Sequence, residues 1–315
     1  MNIIFMGTPD FSVPALRALV EGGHKVTAVV TQPDKPKGRG KAVQMTPVKE
    51  AALELDIPVY QPAKVREEGF LQQLKDLNPE VIVVAAFGQI LPQRLLDIPA
   101  YGCINIHASL LPKYRGAAPI QWVIIDGEKE TGITTMQMNA GLDTGDMLEK
   151  RVVPIDPDET GGSLHDKLSA AGGELILSTL EKLEKGLLAP EPQTEENTCY
   201  AKMLTKALGK MDWEKTAVEL ERLIRGLNPW PSAYTGLDGK TLKIWQARVL
   251  EEEYEGKPGC VVRAKKDDLF VKTGKGTLAI TSLQLEGKKR MDAGAFLRGY
   301  PVEEGTVLSF VSSEK

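Results

Sequence analysis

The chain has 315 residues, of which 42% are hydrophobic and 26% charged, a composition typical of a globular protein with room for two domains. No apolar run approaches the roughly 20 residues of a membrane-spanning helix, and the first residues lack the features of a signal peptide. The three cysteines are widely spaced, which excludes a disulfide framework and fits a reducing compartment. We therefore expect a cytoplasmic protein that does not associate with membranes.

The net charge of −4 is unevenly distributed along the chain. Residues 206–315 carry 19 Lys and Arg residues against 16 Asp and Glu residues, so the excess of negative charge lies in residues 1–205. A C-terminal part with a positive balance suggests an anionic partner for that part.

Strands and helices are predicted to alternate along the first half of the chain. Apolar segments at 3–6, 24–31 and 79–87 predict strands, and the last of these has the continuous apolar character of a strand buried on both faces. Thr46 followed by Pro47 predicts a capped helix over 48–55. This β-α-β order predicts an α/β fold with a mostly parallel, Rossmann-like sheet.

The next predicted strand, 103–107, ends in two polar side chains. Because side chains alternate along a strand, Asn105 and His107 point to the same face. An amide donor beside an imidazole suits a developing oxyanion, and Asp143, in a Gly-rich loop, is the natural carboxylate to complete the set. Each residue also has an ordinary structural interpretation, as a buried histidine, a capping asparagine or a loop aspartate.

The second half of the chain changes character. Segments 132–138 and 146–155 predict a strand pair, and 164–183 predicts a long helix. A polar, proline-bearing stretch over 190–205 predicts a linker between a domain at 1–189 and a second domain at 206–315. The second domain has one amphipathic helix, at 216–227, and short strands that predict a small β-barrel, at 242–250, 259–264, 269–272, 278–285 and 306–311.

Several common catalytic motifs are missing from the sequence. The first strand continues as Gly7-Thr8-Pro9-Asp10, without the GxGxxG of dinucleotide-binding proteins. The sequence has no GxxxxGK[ST] of a P-loop and no GxSxG of a nucleophile elbow. With three histidines, and neither HxxxH nor CxxC, we expect no metal site.

Taken with these residues, the chain closely resembles the methionyl-tRNA formyltransferase family. The resemblance runs nearly end to end, through 7–11, 31–36, 38–41, 87–92, 105–116, 141–146 and 228–231. It implies a formyltransferase fold followed by an OB-like barrel. It also implies transfer of the formyl group of 10-formyltetrahydrofolate, as co-substrate, to the amino group of methionyl-initiator-tRNA.

The resemblance assigns roles to two groups of residues. Asn105, His107 and Asp143 form the catalytic set. The folate-binding residues are Ser109, Leu110, Leu111 and Pro112 together with Phe87, Gly88, Ile90 and Leu91. Phe87, Ile90 and Leu91 also have the character of ordinary core residues, an interpretation that stays open here.

A basic loop follows the second strand. Lys35, Lys37, Arg39 and Lys41 give it four cations in seven residues, with Gly and Pro between them. It fits either a solvated surface loop or an arm that orders against tRNA. Lys206 and Lys210 extend the predicted tRNA contacts, with Lys243 and Lys288-Lys289-Arg290 continuing the basic track over the barrel.

Three other functions remain to be separated from this one. A formyltransferase acting on a small amine, such as an amino sugar or a glycinamide ribonucleotide, would share the catalytic set without needing the basic loop. A folate-using hydrolase would release formate, and a non-catalytic RNA-binding protein would leave the catalytic set without a purpose. Nothing in the sequence requires more than a monomer.

Overall fold

The computed structural model describes residues 1–37 and 42–310. The chain divides into two compact units. The first is drawn from residues 1–119, 130–154 and 165–201, and the second from 120–129, 155–164 and 202 onwards. Within the described residues, none of the helices combines the length and the apolarity needed to cross a bilayer.

The first unit is built on a seven-stranded sheet. Its strands are β1 (Asn2–Gly7), β2 (Lys25–Val30), β5 (Val59–Tyr60), β6 (Val81–Ala85), β7 (Cys103–His107), β9 (Glu130–Gln137) and β10 (Met147–Pro154). Two short pairs lie outside this sheet, β3 (Lys35–Lys37) with β4 (Ala42–Gln44) and β8 (Arg115–Gly116) with β11 (Tyr200–Ala201). The helices up to residue 184 are α1 (Val13–Glu21), α2 (Pro47–Glu54), α3 (Glu68–Asp76), α4 (Gln93–Leu96), α5 (Pro119–Asp126) and α6 (Gly161–Glu184).

The strand order of this sheet is β10-β9-β7-β6-β1-β2-β5. From β7 to β5 all neighbours are parallel, whereas β9 and β10 pair antiparallel at the other edge. The chain moves outward from β1 to β2 and β5 and then returns to β6 on the other side of β1. Sheets of this kind bind ligands beyond the carboxyl ends of the strands at such a reversal. The ends of β1 and β6, with β7 beside them, therefore mark the expected ligand edge.

The strands and helices predicted for this unit are confirmed as elements of the predicted type. All five residues of β6 are buried, as its continuous apolar run predicts. The Thr46 hydroxyl accepts a hydrogen bond from the Lys49 amide at 3.1 Å, and Pro47 occupies the first turn of α2, so the predicted cap is confirmed. The long helix extends over Gly161–Glu184 and so begins a few residues before its predicted start.

The second unit contains a six-stranded antiparallel sheet. Its strands are β12 (Ala233–Leu237), β13 (Lys240–Leu250), β14 (Val261–Lys265), β15 (Asp268–Lys272), β16 (Thr277–Leu285) and β17 (Met291–Asp292), and its later helices are α7 (Ala217–Gly226) and α8 (Ala293–Gly299). The order is β12-β13-β16-β15-β14, with β17 also paired to β16. Helix α7 begins with a capping box in which Thr216 and Glu219 satisfy each other's backbone amides.

The elements of this unit differ from the predicted ones in two respects. The sequence pattern did not predict β12, β17 or α8, a seven-residue helix capped by Asp292. The strand predicted over 306–311 is reduced, within its described residues, to a single bridge between Val307 and Cys260. A turn precedes the bridge, in which the Thr306 amide bonds to the Glu303 carbonyl.

Candidate active site

The carboxyl ends of the central strands bring polar groups to one edge of the sheet. The Ser12 hydroxyl, following β1, donates to the Ala85 carbonyl at the end of β6 (2.6 Å). The Thr8 hydroxyl donates to the Phe87 carbonyl (2.9 Å). These bonds tie the segment after β1 to the segment after β6. His107, the last residue of β7, lies one strand further along the same edge.

His107 is 6% exposed, and both of its ring nitrogens face polar groups. Its Nε2 lies 2.9 Å from the carbonyl oxygen of Tyr114, which can only accept, so Nε2 carries a hydrogen and donates. Its Nδ1 lies 3.7 Å from Oδ2 of Asp143. This distance supports attraction between charges but exceeds a hydrogen bond. Nδ1 is therefore the ring nitrogen left uncommitted beside the carboxylate.

Asp143 lies in the loop between β9 and β10, in a left-handed backbone conformation with φ of 53°. Its Oδ2 accepts a hydrogen bond from the Gly116 amide at 2.8 Å, which fixes the carboxylate beside His107. The structure thus brings together two residues that lie 36 positions apart in the sequence. A half-buried carboxylate with one anchored oxygen is suited to orient an imidazolium and to accept a proton through water.

Asn105 lies on β7 two residues before His107, so both side chains extend from the same face of the strand. In the sheet it lies between Val84 of β6 and Met136 of β9. Its side chain is half-buried, and none of the hydrogen bonds found among the described residues uses its amide. The amide therefore remains available to donate to a ligand beyond the strand end.

The segment Ser109-Leu110-Leu111-Pro112 forms a tight turn after β7. The Ser109 hydroxyl is fully buried and donates to the Lys113 carbonyl (2.7 Å), so in this structure it stabilises the turn. Leu111 is 1% exposed and packs against Met136 and Met147. Leu110 and Pro112 are half-buried. The turn presents backbone and two partly accessible side chains at the ligand edge.

The residues from Phe87 to Leu91 divide into buried and exposed members. Phe87 and Leu91 are 3% and 4% exposed and belong to the core on one side of the sheet. Ile90 is 89% exposed, and Gly88 is exposed with a φ of 86° that disfavours other residues. Ile90 is therefore the apolar side chain of this segment that a ligand can contact directly.

We expect substitutions at Ile90 and Leu91 to have separable effects. Ile90→Ser should weaken binding of tetrahydrofolate several-fold with little change in the melting temperature, because the side chain is exposed. Leu91→Ser should lower the free energy of unfolding by about 2–5 kcal/mol, the range for truncating a buried leucine. Calorimetric titration with tetrahydrofolate and chemical denaturation measure the two effects. Unchanged folate affinity in Ile90→Ser would remove this residue from the candidate site.

Side-chain hydrogen bonds hold the residues that connect β2 to the predicted basic loop. Asp34 accepts a hydrogen bond from Lys49 Nζ and another from Gln61 Nε2, both at 2.6 Å. The hydrogen bond from Lys49, followed by that from Gln61, lowers the pKa of Asp34 below its ordinary value. Lys35 is exposed on β3 and Lys37 ends this strand. Arg39 and Lys41 lie outside the described residues.

The other predicted tRNA-binding residues lie in the second unit. Lys206 and Lys210 are exposed, and Nζ of Lys210 lies 5.5 Å from the centre of the Phe310 ring. On the sheet, Lys243 Nζ and Arg290 Cζ lie 5.5 and 5.2 Å from the centre of the Trp245 ring. Cations beside aromatic faces are a common feature of nucleic-acid-binding surfaces.

Sequence reasoning missed four contributors to the site. The Tyr114 carbonyl and the Gly116 amide act through the backbone, which carries no residue-specific signal. Arg115 is 1% exposed, although an arginine is ordinarily expected at the surface. Gln193 donates to the carbonyls of Asp143 and Gly145, although it lies in the stretch predicted as a linker.

Comparison with a solved structure shows the fold. The sugar 3N-formyl transferase WlaRD, crystallised in the presence of dTDP and 5-N-formyl-THF, superposes with a TM-score of 0.67 at 18% sequence identity. The match covers 92% of this chain and 99% of that chain. At this identity the likeness concerns the fold alone.

Comparison with protein families and curated proteins goes further. Residues 1–180 match the formyl transferase family, and residues 203–301 match the formyl transferase C-terminal domain. A methionyl-tRNA formyltransferase of Agathobacter rectalis is 58% identical over 97% of this chain and 99% of its own length. Another, of Geobacter metallireducens, is 57% identical over 97% of both chains. The chain belongs to the methionyl-tRNA formyltransferase family.

Proposed function

We propose that this protein transfers the formyl group of 10-formyltetrahydrofolate to the free amino group of methionyl-initiator-tRNA. The products are N-formylmethionyl-tRNA, used to initiate translation, and tetrahydrofolate. The observation that carries the proposal is the meeting of His107 and Asp143 at the end of β7, in a chain of this family. Two polar groups converging at the ligand edge of an open α/β sheet suit chemistry at a bound carbonyl.

The reaction requires stabilisation of a negative charge on the formyl oxygen. The methionine amine attacks the formyl carbon and forms a C–N bond, and the bond from that carbon to N10 of the folate then breaks. In the tetrahedral intermediate between these steps the formyl oxygen is anionic. We assign the amide of Asn105 and the Nδ1–H of protonated His107 as donors to this oxygen.

Proton transfer accompanies the exchange of bonds. The attacking amine must lose a proton, and N10 must gain one as it leaves. The Asp143 carboxylate has one oxygen anchored by the Gly116 amide and is placed to accept the amine proton through water. No activated nucleophile is proposed, so we expect direct transfer without a covalent enzyme intermediate.

The folate co-substrate fits the exposed groups at the strand ends. Ile90 and Leu142 are 89% and 62% exposed and offer apolar surface on the two loops that border the catalytic residues. Leu110 and Pro112, in the turn after β7, add partly accessible surface. A largely apolar groove with a few directed polar groups is the usual form of a cofactor site. WlaRD, which shares this fold, was crystallised in the presence of 5-N-formyl-THF.

The tRNA partner is supported by the basic residues of both units. We propose that Lys35, Lys37, Arg39 and Lys41 contact tRNA from the first domain, and that Lys206 and Lys210 do so from the second. Neutralising phosphates with lysine and arginine is the main source of affinity for nucleic acids. We also propose the division into 1–189, a connecting segment at 190–205 and 206–315, with the protein acting as a cytoplasmic monomer.

One incubation separates this function from its alternatives. The purified protein is given 10-formyltetrahydrofolate and Met-tRNA, and formylated methionine is detected after deacylation. Parallel reactions contain an amino-sugar nucleotide, glycinamide ribonucleotide, or no acceptor. Formyl transfer to Met-tRNA alone supports the proposal, whereas transfer to a small amine supports the alternative substrate class. Formate released without an acceptor would indicate a hydrolase.

Reversing the charge of Arg39 should affect the tRNA substrate selectively. We expect Arg39→Glu to raise KM for Met-tRNA about tenfold or more, because an attraction to phosphate is replaced by a repulsion. The affinity for tetrahydrofolate should remain unchanged. Steady-state kinetics with varied Met-tRNA and a folate titration measure the two effects. Glu54→Lys, which reverses an exposed charge on α2, is the control, and an equal loss of both affinities in Arg39→Glu would indicate misfolding instead.

A further inference from the structure

The segment from residue 191 to 201 runs alongside the catalytic loops of the first unit. Glu191 and Met147 exchange backbone hydrogen bonds at 2.8 and 2.9 Å, next to the loop that carries Asp143. Further on, β11 pairs with β8, and the Arg115 amide bonds to the Cys199 carbonyl at 3.0 Å. The backbone of this segment is therefore fixed at both ends against the site.

Between these two attachments, Gln193 contacts the catalytic loop directly. Its Nε2 donates to the carbonyl of Asp143 at 2.8 Å and to the carbonyl of Gly145 at 2.7 Å. Its Oε1 accepts a hydrogen bond from Nε of Arg115 at 3.0 Å. One half-buried side chain thus joins both loops that meet around the candidate carboxylate.

The orientation of the Gln193 amide follows from its partners. Arg115 can only donate, so the oxygen of the amide must face it, and the two carbonyls can only accept, so the nitrogen must face them. Arg115 is itself buried and contacts Glu195 Oε1 at 3.1 Å. Burial disfavours the guanidinium charge, but hydrogen bonds to Tyr200 and Glu195 outweigh it and raise the pKa of Arg115. Gln193 therefore accepts its hydrogen bond from an arginine that remains charged.

Asp143 needs such support because its own conformation is unfavourable. Its φ of 53° lies in the left-handed region, which is uncommon for residues other than glycine, although aspartate adopts it more readily than most. The Gly116 amide holds its carboxylate, and Gln193 holds its carbonyl. Removing the second contact frees the backbone of Asp143 to relax and so weakens the remaining bond between its carboxylate and the Gly116 amide.

We propose that Gln193 is a positioning residue that holds Asp143 in place for formyl transfer. It acts through the backbone of Asp143 and Gly145 without touching substrate. This inference rests on the proposed function, in which Asp143 takes part in catalysis. It also gives residues 191–201 a role in the catalytic unit beyond that of a connecting segment.

Gln193→Ala should lower kcat for formylation of Met-tRNA by about 10- to 100-fold, the effect of a small misplacement of a catalytic group. KM for Met-tRNA and the affinity for tetrahydrofolate should change less than twofold. Gln72→Ala, the same substitution at an exposed position on α3, is the matched control and should retain full activity. Unchanged kcat in Gln193→Ala would overturn the proposal, as would a parallel loss of folate affinity.

An isosteric variant distinguishes positioning from space filling. Gln193→Glu preserves the shape and the contact with Arg115, but it replaces the donor with an oxygen that faces two carbonyl oxygens. We expect it to be impaired at least as much as Gln193→Ala. Normal activity in Gln193→Glu would show that volume alone matters. In an Asp143→Asn background, Gln193→Ala should cost less than a further twofold, because both changes act on the same step; independent losses would contradict the proposal.

A measurement without substrate separates this inference from the proposed function. Amide hydrogen exchange at Gly116 reports whether the Asp143 carboxylate still accepts its hydrogen bond. We expect exchange at Gly116 to be at least tenfold faster in Gln193→Ala than in the wild type, and unchanged in Gln72→Ala. If the wild type fails to formylate Met-tRNA, the proposed function fails, and the exchange rate alone tests the positioning. Unchanged exchange at Gly116 would then reject it.

Discussion

Replacing His107 with asparagine is expected to lower kcat for formyl transfer by about 10²–10³-fold, the usual loss when one donor to an oxyanion is removed. Asparagine retains hydrogen-bonding capacity but is shorter and uncharged, so it reaches neither the Tyr114 carbonyl nor the formyl oxygen in the same geometry. KM for Met-tRNA and the affinity for tetrahydrofolate should change little. Single-turnover formylation with saturating substrates measures the chemical step directly.

The reason lies in how the two ring nitrogens of His107 are used. Nε2–H is committed to the Tyr114 carbonyl at 2.9 Å, which fixes the ring plane. Nδ1 faces Asp143 at 3.7 Å, too far for its hydrogen to be consumed by a hydrogen bond. In the proposed mechanism the Asp143 carboxylate attracts the positive charge on the imidazole and leaves Nδ1–H free to donate to the formyl oxygen. Asparagine loses the charge and, being shorter, does not place its donor in the same position.

His165 provides a matched control for this prediction. It also lies beside carboxylates, with Nδ1 at 2.9 Å from Asp166 Oδ1 and Nε2 at 3.4 Å from Asp10 Oδ1, but its ion pairs do not include Asp143. His165→Asn should formylate Met-tRNA at the wild-type rate. A His107→Asn protein with a normal melting temperature and near-normal kcat would remove His107 from the reaction.

Features that depend on residue periodicity and local chemistry could be predicted from the sequence alone. The continuous apolar run of β6 and the Thr46-Pro47 cap predicted elements that the structure confirms. The alternation along β7 predicted that Asn105 and His107 share a face. These predictions succeed because each depends on a few neighbouring residues and on regular backbone geometry.

The remaining features depend on contacts between distant segments. Gln193 has no local signal, because its partners Asp143 and Arg115 lie 50 and 78 residues away. The burial of Arg115 likewise follows from the pairing of β8 with β11. Each of these strands has two residues, too few for a sequence pattern that would predict the pairing. Ile90 and Leu91 are adjacent and chemically alike, and only the fold makes one exposed and the other buried.

Asp143 offers a substitution that separates charge from loop geometry. The Gly116 amide donates to its Oδ2 at 2.8 Å, and the side-chain oxygen of an asparagine accepts the same bond. The contact of Gln193 with the Asp143 carbonyl involves only backbone at this position and is unaffected. Asp143→Asn therefore retains the loop anchors and removes the negative charge, whereas Asp143→Ala removes both the charge and the Gly116 acceptor.

We expect Asp143→Asn to lower kcat for formyl transfer by about 10²-fold or more, the usual contribution of a positioned proton acceptor, with unchanged folate affinity and melting temperature. Asp143→Ala should lower kcat at least as far and also accelerate amide exchange at Gly116. Single-turnover kinetics, folate titration and thermal unfolding of the two variants measure these effects, with the exposed Asp97→Asn as control. Because Asp143→Asn preserves the geometry, its lost activity reports the charge alone. Full activity in Asp143→Asn combined with a defect in Asp143→Ala would assign Asp143 to loop structure and leave His107 without a charged partner in the reaction.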